Sequence, residues 1–147
     1  MGHRYPFRLP DMSVTPLLPT PLSPFVQAGI VAVGGAVGSV LRWGAGVLLN
    51  TLPVPIAAGT LAVNVGGGAL IGFSLVAFAR VPNEAMRLLL VTGGLGGLTT
   101  FSAYSAESLS LLIKGQVGVA VVHTLLHVAG ALAAAALGWQ VGRWVLN

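Results

Sequence analysis

An apolar segment near the middle of the chain carries a strongly polar centre, GGLGGLTTFSAYSAES, at residues 93–108. Glycine inside a helix costs about 1 kcal/mol relative to alanine, so the four glycines at its start favour a break at residues 96–100. In lipid a broken helix is tolerated only where protein or a polar cavity covers its free carbonyl and amide groups, and such breaks can bind ions. Small residues also let two helices approach closely. The spacing alone therefore leaves an ion-binding break and a packing surface as equal alternatives.

The residues that follow the glycines share one face of a helix. Phe101, Tyr104, Ser105 and Ser108 occupy positions i, i+3, i+4 and i+7, which lie on the same side. Aromatic ring edges carry partial positive charge, and hydroxyl groups can donate hydrogen bonds to an anion. This face can guide a small anion through hydrocarbon, although the same pattern is typical of a packing seam between helices.

Three further polar residues stand alone in apolar surroundings. Asn64 must be hydrogen-bonded inside a membrane, so we expect it to face another helix or a cavity, where its amide protons can serve an anion. Arg42, followed by the interface marker Trp43, can attract anions into a vestibule or extend to the membrane surface. Glu107 lies off the aromatic face, and we expect Arg42 to be its partner within the membrane.

His123 and His127 form an i, i+4 pair, a spacing that can bind a metal ion. The other candidate ligands of the chain are one histidine and three acids: His3, Asp11, Glu84 and Glu107. We expect none of them near the pair, so the two histidines are predicted to act as neutral hydrogen-bond donors rather than as metal ligands.

The composition identifies the solvent around these residues. The chain is 55% hydrophobic and only 7% charged, whereas soluble domains typically carry about 25% charged residues. We therefore expect an all-α, multi-pass integral membrane protein in contact with lipid. The absence of cysteine excludes disulfides and thiolate metal sites. Its cations are scattered along the sequence, which argues against nucleic-acid binding. The sequence also lacks a recognisable set of nucleophile, base and acid, so we do not expect an enzyme.

Four apolar segments are long enough to span a bilayer, for which about 20 residues are needed. They are residues 25–49, 55–79, 84–113 and 115–146, joined by short connections. Pro55 is well placed to open the second segment, and the polar centre falls inside the third. The proline-rich residues 1–24 are expected to form an extended or disordered tail before a membrane domain of residues 25–147. The Lys and Arg residues near the membrane specify the orientation only weakly.

The motifs GGAVGSVLRW, GTLAVNVGGGALIG and GGLTTFSAYSAE resemble the signature motifs of the CrcB/Fluc fluoride-channel family, in the family's order and over residues 28–140. The resemblance implies a passive, fluoride-selective channel of the cell inner (plasma) membrane, which exports fluoride and reduces its toxicity. It also implies an antiparallel, dual-topology homodimer of four-helix subunits with a broken third helix. At the dimer centre, the backbone carbonyls of Gly96 and Thr99 from both subunits would hold a structural sodium ion.

The resemblance also assigns individual residues. Phe101 and Tyr104 match two aromatic residues that present ring edges to fluoride, while Asn64 matches a pore asparagine and Arg42 a vestibule arginine. The implied pore lining is Phe101, Tyr104, Asn64, Ser105, Ser108, His123 and His127. This sequence departs from the family pattern at four positions, where phenylalanine, threonine, tyrosine and serine are usual: Tyr104, Ala103, His123 and His127.

Two other functions are compatible with a small membrane protein of this size. A four-helix, proton-coupled multidrug exporter needs a membrane carboxylate in its first helix, where this chain has Arg42 instead. A membrane scaffold would use the glycines for packing alone.

Overall fold

The structure is a computed structural model and describes residues 22–146. The prediction of an extended tail falls almost entirely on residues 1–21, which lie outside the described residues. The first helix, α1 (Pro24–Leu49), begins with a proline in its first turn and is capped by the Ser23 hydroxyl, which accepts a hydrogen bond from the Val26 amide. Both features are typical of a helix start.

Among residues 22–146, three helices are long and apolar enough to cross a membrane: α1, α2 (Ala58–Arg80) and α6 (Val117–Leu146). They confirm the first, second and fourth predicted segments. The prediction that Pro55 opens α2 is wrong, because the helix begins at Ala58. The Asn50 side chain accepts a hydrogen bond from the Gly59 amide at 2.8 Å, which fixes the start of α2 there.

The third segment is helical but broken. It runs through α3 (Glu84–Arg87), a π-helical stretch (Leu88–Leu95) and α4 (Gly96–Leu98), and it resumes as α5 (Phe101–Ile113). Thr99 and Thr100 are extended between α4 and α5, with φ/ψ of −82°/154° and −151°/118°. The break therefore lies within the predicted range, but two threonines form it, while the glycines before it are helical.

Two of these glycines serve the second predicted role, close packing. A Cβ atom on Gly93 would lie 2.7 Å from the Val31 carbonyl oxygen of α1, and one on Gly97 would overlap that of Gly35. A Cβ atom on Gly34 of α1 would overlap the Leu89 carbonyl oxygen, and one on Gly38 would overlap the Gly94 carbonyl oxygen. The backbone of α1 is thus in direct contact with the first half of the third segment, residues 84–98. Helices α2 and α6 pack in the same way, since a Cβ on Gly68 would lie 2.5 Å from the Ala131 carbonyl oxygen. Such contacts are typical of helices that associate in lipid.

The distribution of polarity is the reverse of that in a soluble protein. In the part of the chain that the structure describes, many large apolar side chains are exposed, whereas four polar residues are buried among the helices: Thr60, Thr100, His123 and His127. An apolar exterior around buried polar groups is the arrangement that lipid favours, because lipid cannot hydrogen-bond to exposed polar groups.

Candidate functional site

Asn64 of α2 closes the break in the third segment. Its Oδ1 accepts a hydrogen bond from the Thr100 amide at 2.8 Å, and its Nδ2 donates to the Thr100 carbonyl oxygen at 3.0 Å. A backbone amide can only donate and a carbonyl can only accept, so these two contacts fix the orientation of the side-chain amide. Asn64 therefore faces another helix, as predicted, and it satisfies backbone groups that the break leaves without helical partners.

The fixed amide determines which ring nitrogen of His127 carries a proton. Nδ2 of Asn64 also lies 3.1 Å from Nδ1 of His127. Because Nδ2 can only donate, Nδ1 accepts, and the neutral imidazole carries its proton on Nε2. The side chain is 5% exposed, and Nε2 has no hydrogen-bond partner among the described residues. His127 therefore offers a buried N–H donor that the rest of the described chain leaves unused.

A second polar group surrounds His123, which is completely buried at 0% exposure. Its Nε2 lies 3.2 Å from Oε2 of Glu107, and its Nδ1 lies 3.1 Å from the Ser108 hydroxyl. The other carboxylate oxygen of Glu107 accepts a hydrogen bond from the Thr60 hydroxyl at 2.6 Å. One continuous chain of polar contacts thus links α2, α5 and α6.

The prediction that Glu107 pairs with Arg42 is wrong within the described chain, because Glu107 contacts Thr60 and His123 instead. The cause is the arrangement of the helices. Arg42 belongs to α1, which packs on the first half of the third segment, whereas Glu107 lies in the second half and faces α2 and α6. Arg42 is half-buried.

An aromatic cluster connects the two histidines to the break. The Tyr104 ring lies 5.4 Å from the His123 ring at an interplanar angle of 16°, and 5.0 Å from the His127 ring. The Phe101 ring is 5.3 Å from that of Tyr104 and remains 78% exposed. The additional hydroxyl of Tyr104 donates to the Thr124 hydroxyl at 3.3 Å, so α6 accommodates this departure from the usual phenylalanine.

The two serines of the predicted face are used differently. Ser105 is exposed and donates to the Phe101 carbonyl at 2.8 Å, a bond within its own helix. Ser108 faces inward and contacts His123. The structure therefore places Ser108 in the polar group, while the hydroxyl proton of Ser105 is bound by the backbone.

A cavity of about 570 Å³ opens beside the break. Six of the predicted site residues line it: Asn64, Gly96, Thr99, Phe101, Tyr104 and His127. Most of the remaining wall is apolar or glycine. The cavity thus combines aromatic rings, the His127 ring and residues of the break. Aromatic ring edges and imidazole N–H groups are suited to a small anion.

The prediction that no third ligand lies near the histidine pair is wrong. Glu107, His123 and His127 each offer one ligand atom, and these three atoms lie within 4.8 Å of one another. Glu107 is separated from the histidines by the second half of α5, the turn and the start of α6, and the packing of α5 on α6 brings them together.

Sequence reasoning missed two threonines of the site. Thr60 lies four residues before Asn64 and thus on the same face of α2, a signal that could have identified it. Thr124, which accepts from Tyr104, has no comparable signal, because its contact depends on how α5 packs against α6.

Comparisons with known proteins cover the same part of the chain. A family model described as CrcB-like protein, camphor resistance (CrcB), matches residues 29–139. The fluoride-specific ion channel FluC of Aromatoleum aromaticum is 48% identical over 111 residues, which are 74% of this chain and 85% of the relative. The protein of the same name from Pseudomonas aeruginosa is 45% identical over 119 residues, or 80% and 94% of the two chains. That of Cupriavidus taiwanensis is 50% identical over 111 residues, or 74% and 87%.

Proposed function

The chain belongs to the CrcB-like family, and from this membership we infer that it is a passive, fluoride-selective ion channel in the cell membrane. It is a multi-pass membrane protein that lets fluoride leave the cell and so reduces its toxicity. Its relatives are named as fluoride-specific ion channels, and no enzymatic activity is indicated.

The buried Nε2–H of His127 is the observation that best connects this function to particular residues. A buried donor without a partner costs about 1–3 kcal/mol, and fluoride is a small anion that accepts strong hydrogen bonds. The ring edges of Phe101 and Tyr104 border the same cavity and add partial positive charge. Fluoride passing this point would relieve the cost of the unused donor.

We extend the path from this point along the polar group. Ser108 and His123 continue it beyond His127, while Asn64 holds the His127 ring with one amide proton and the break with the other. Ser105 lies on the same face of α5 and is exposed. The pore lining is thus Phe101, Tyr104, Asn64, Ser105, Ser108, His123 and His127, with Arg42 as the cation of the vestibule.

The exposure of Phe101 supports a homodimer. A ring that is 78% exposed cannot border a closed pore within one chain, so a second copy would have to complete the wall. We propose that the broken third segment crosses the bilayer as a fourth span. We also propose that both orientations occur, because the positive charges specify the orientation only weakly, and that the two copies of the dimer are antiparallel. In this arrangement residues 25–147 form the channel domain, and residues 1–24 are a tail outside it.

A cysteine placed in the loop of residues 50–54 tests the topology. If a membrane-impermeant thiol reagent labels this cysteine from one side of the membrane only, dual insertion is contradicted.

The same dimer would bring two breaks together at its centre. Gly96 is exposed, Thr99 is partly exposed, and both border the cavity beside the break. Four backbone oxygens from two subunits suit a hard cation, and we propose a structural sodium ion there. An experimental structure obtained in sodium buffer would contradict this if it showed no density between the two breaks.

Purified protein in liposomes tests the function. Fluoride trapped inside should leave rapidly when the membrane potential is released by an ionophore, and chloride should not. Empty liposomes are the control. An exporter of cationic drugs would instead move its substrate against a proton gradient without moving fluoride. That class is disfavoured because the carboxylate of Glu107 lies in the second half of the third segment, bound by Thr60 and His123.

A further inference from the structure

Glu107, His123 and His127 form a compact set of potential metal ligands. The His123 Nε2 and the Glu107 Oε2 are 3.2 Å apart, and a ring nitrogen of His127 completes a group whose members lie within 4.8 Å of one another. Around a tetrahedral zinc ion with ligands at about 2.0–2.1 Å, neighbouring ligand atoms are about 3.3 Å apart. The first two atoms are already at this separation, and the third needs only a side-chain adjustment.

We propose that these three residues bind a divalent transition-metal ion, with zinc as the ion they suit best. Two imidazoles and one carboxylate form a ligand set that zinc uses in proteins, with a fourth position left open. The hard ions magnesium and calcium prefer sites made of oxygen alone. The single carboxylate would partly neutralise the dication, and an anion or water in the fourth position would complete the shell.

The surrounding residues already support two of the three ligands. The Thr60 hydroxyl orients the Glu107 carboxylate from its far oxygen, and the Ser108 hydroxyl contacts the far nitrogen of His123. A hydroxyl can accept as well as donate, so Ser108 can hold His123 in the tautomer that frees Nε2 for the metal. Such outer partners orient metal-binding side chains and strengthen their binding.

The third ligand, His127, connects metal binding to the proposed fluoride path. Nε2 of His127 is buried and has no partner among the described residues, so it is available to a metal. To bind one, the ring must move its proton to Nδ1, and the hydrogen bond from Asn64 is then lost. The metal therefore needs the same nitrogen as the proposed fluoride path, but in the opposite protonation state. It follows, if the proposed function holds, that zinc blocks fluoride.

A metal ion can reach the site from the end of the helices that carries the loop between α1 and α2. A cavity of about 390 Å³ lies there, lined by Pro55, Glu107, Lys114 and His123 among others. The Glu107 side chain is 25% exposed. The cation Lys114 at the cavity wall opposes the entry of metal, so Lys114→Gln should strengthen zinc binding.

Zinc titration of the full chain in detergent tests the site without reference to fluoride. The starting protein carries His3→Gln and no affinity tag, which leaves His123 and His127 as its only histidines. We expect one zinc per chain, and cobalt should give the visible spectrum of a tetrahedral complex. Glu107→Gln and His127→Asn should each weaken binding at least about tenfold, while Glu84→Gln, an acid outside the group, should not.

Zinc affinity that stays unchanged in Glu107→Gln and in His127→Asn, both verified as folded by their elution and thermal unfolding, would overturn the proposal. So would the absence of zinc binding to the His3→Gln protein. Fluoride efflux then separates the two claims. Zinc should inhibit the His3→Gln channel and inhibit Glu107→Gln only at a concentration at least about tenfold higher. If zinc binds as expected but zinc-free protein passes no fluoride, the proposed function fails and the metal site stands.

Discussion

Asn64→Ala removes the side chain that closes the break in the third segment. The amide and carbonyl of Thr100, a residue only 7% exposed, would both lose their partner. Each buried backbone group without a hydrogen bond costs about 1–3 kcal/mol, so the structure predicts a loss of about 2–6 kcal/mol. Entry of water or relaxation of the break would place the loss in the lower half of that range, and we expect about 3 kcal/mol.

Asn83→Ala provides a matched control in the same chain. Asn83 accepts a hydrogen bond from the Met86 amide at 3.0 Å at the exposed start of α3, and loss of such a cap typically costs about 1 kcal/mol. The assay is reversible unfolding in mixed micelles, followed by circular dichroism. If Asn64→Ala destabilises the protein no more than Asn83→Ala does, Asn64 does not hold the break in the way that its contacts indicate.

Two further substitutions, the second with a matched control, test the packing around the break. Tyr104→Phe removes the hydroxyl that donates to Thr124 but keeps the ring, so it should cost about 1 kcal/mol of stability and retain fluoride efflux; abolished efflux would assign the hydroxyl a direct role in the pore. Gly38→Ala places a methyl group against the backbone at Gly94, and we expect a loss of about 1–3 kcal/mol in the same unfolding assay. Gly44→Ala, on the same helix but with no neighbour within 4 Å, should be neutral or stabilising by up to about 1 kcal/mol. Equal effects of the two alanines would contradict the close contact of α1 with the third segment.

The sequence predicts the helical segments and the approximate place of the break. Apolar length, a local feature, defines α1, α2 and α6. The dense glycines indicate residues 96–100, but these glycines are helical. Thr99 and Thr100 form the break, where Asn64 binds the Thr100 backbone. The winding of Leu88–Leu95 as a π-helix carries no such signal. Its residues are almost all apolar or glycine, so their pattern does not distinguish one helical period from another.

In the candidate site, the sequence predicts which residues face inward but not all of their partners. The i, i+4 spacing correctly places His123 and His127 on one face, and the isolated amide of Asn64 correctly indicates an inward-facing residue. The partner of Glu107 was not predictable in this way. Arg42 is the obvious opposite charge in the membrane, but the choice between Arg42 and His123 depends on which helix packs against which half of the broken segment.

Fluoride efflux from liposomes, measured for the native chain and for Phe101→Ile side by side, tests the central claim most directly. Isoleucine keeps the size and apolar character of the side chain but lacks the positive edge of the aromatic ring. The account predicts rapid, fluoride-selective efflux from the native protein and the loss of most of it in the variant, with the assembly unchanged on size-exclusion chromatography. Equal efflux from a correctly assembled Phe101→Ile protein would show that fluoride does not pass along this aromatic face.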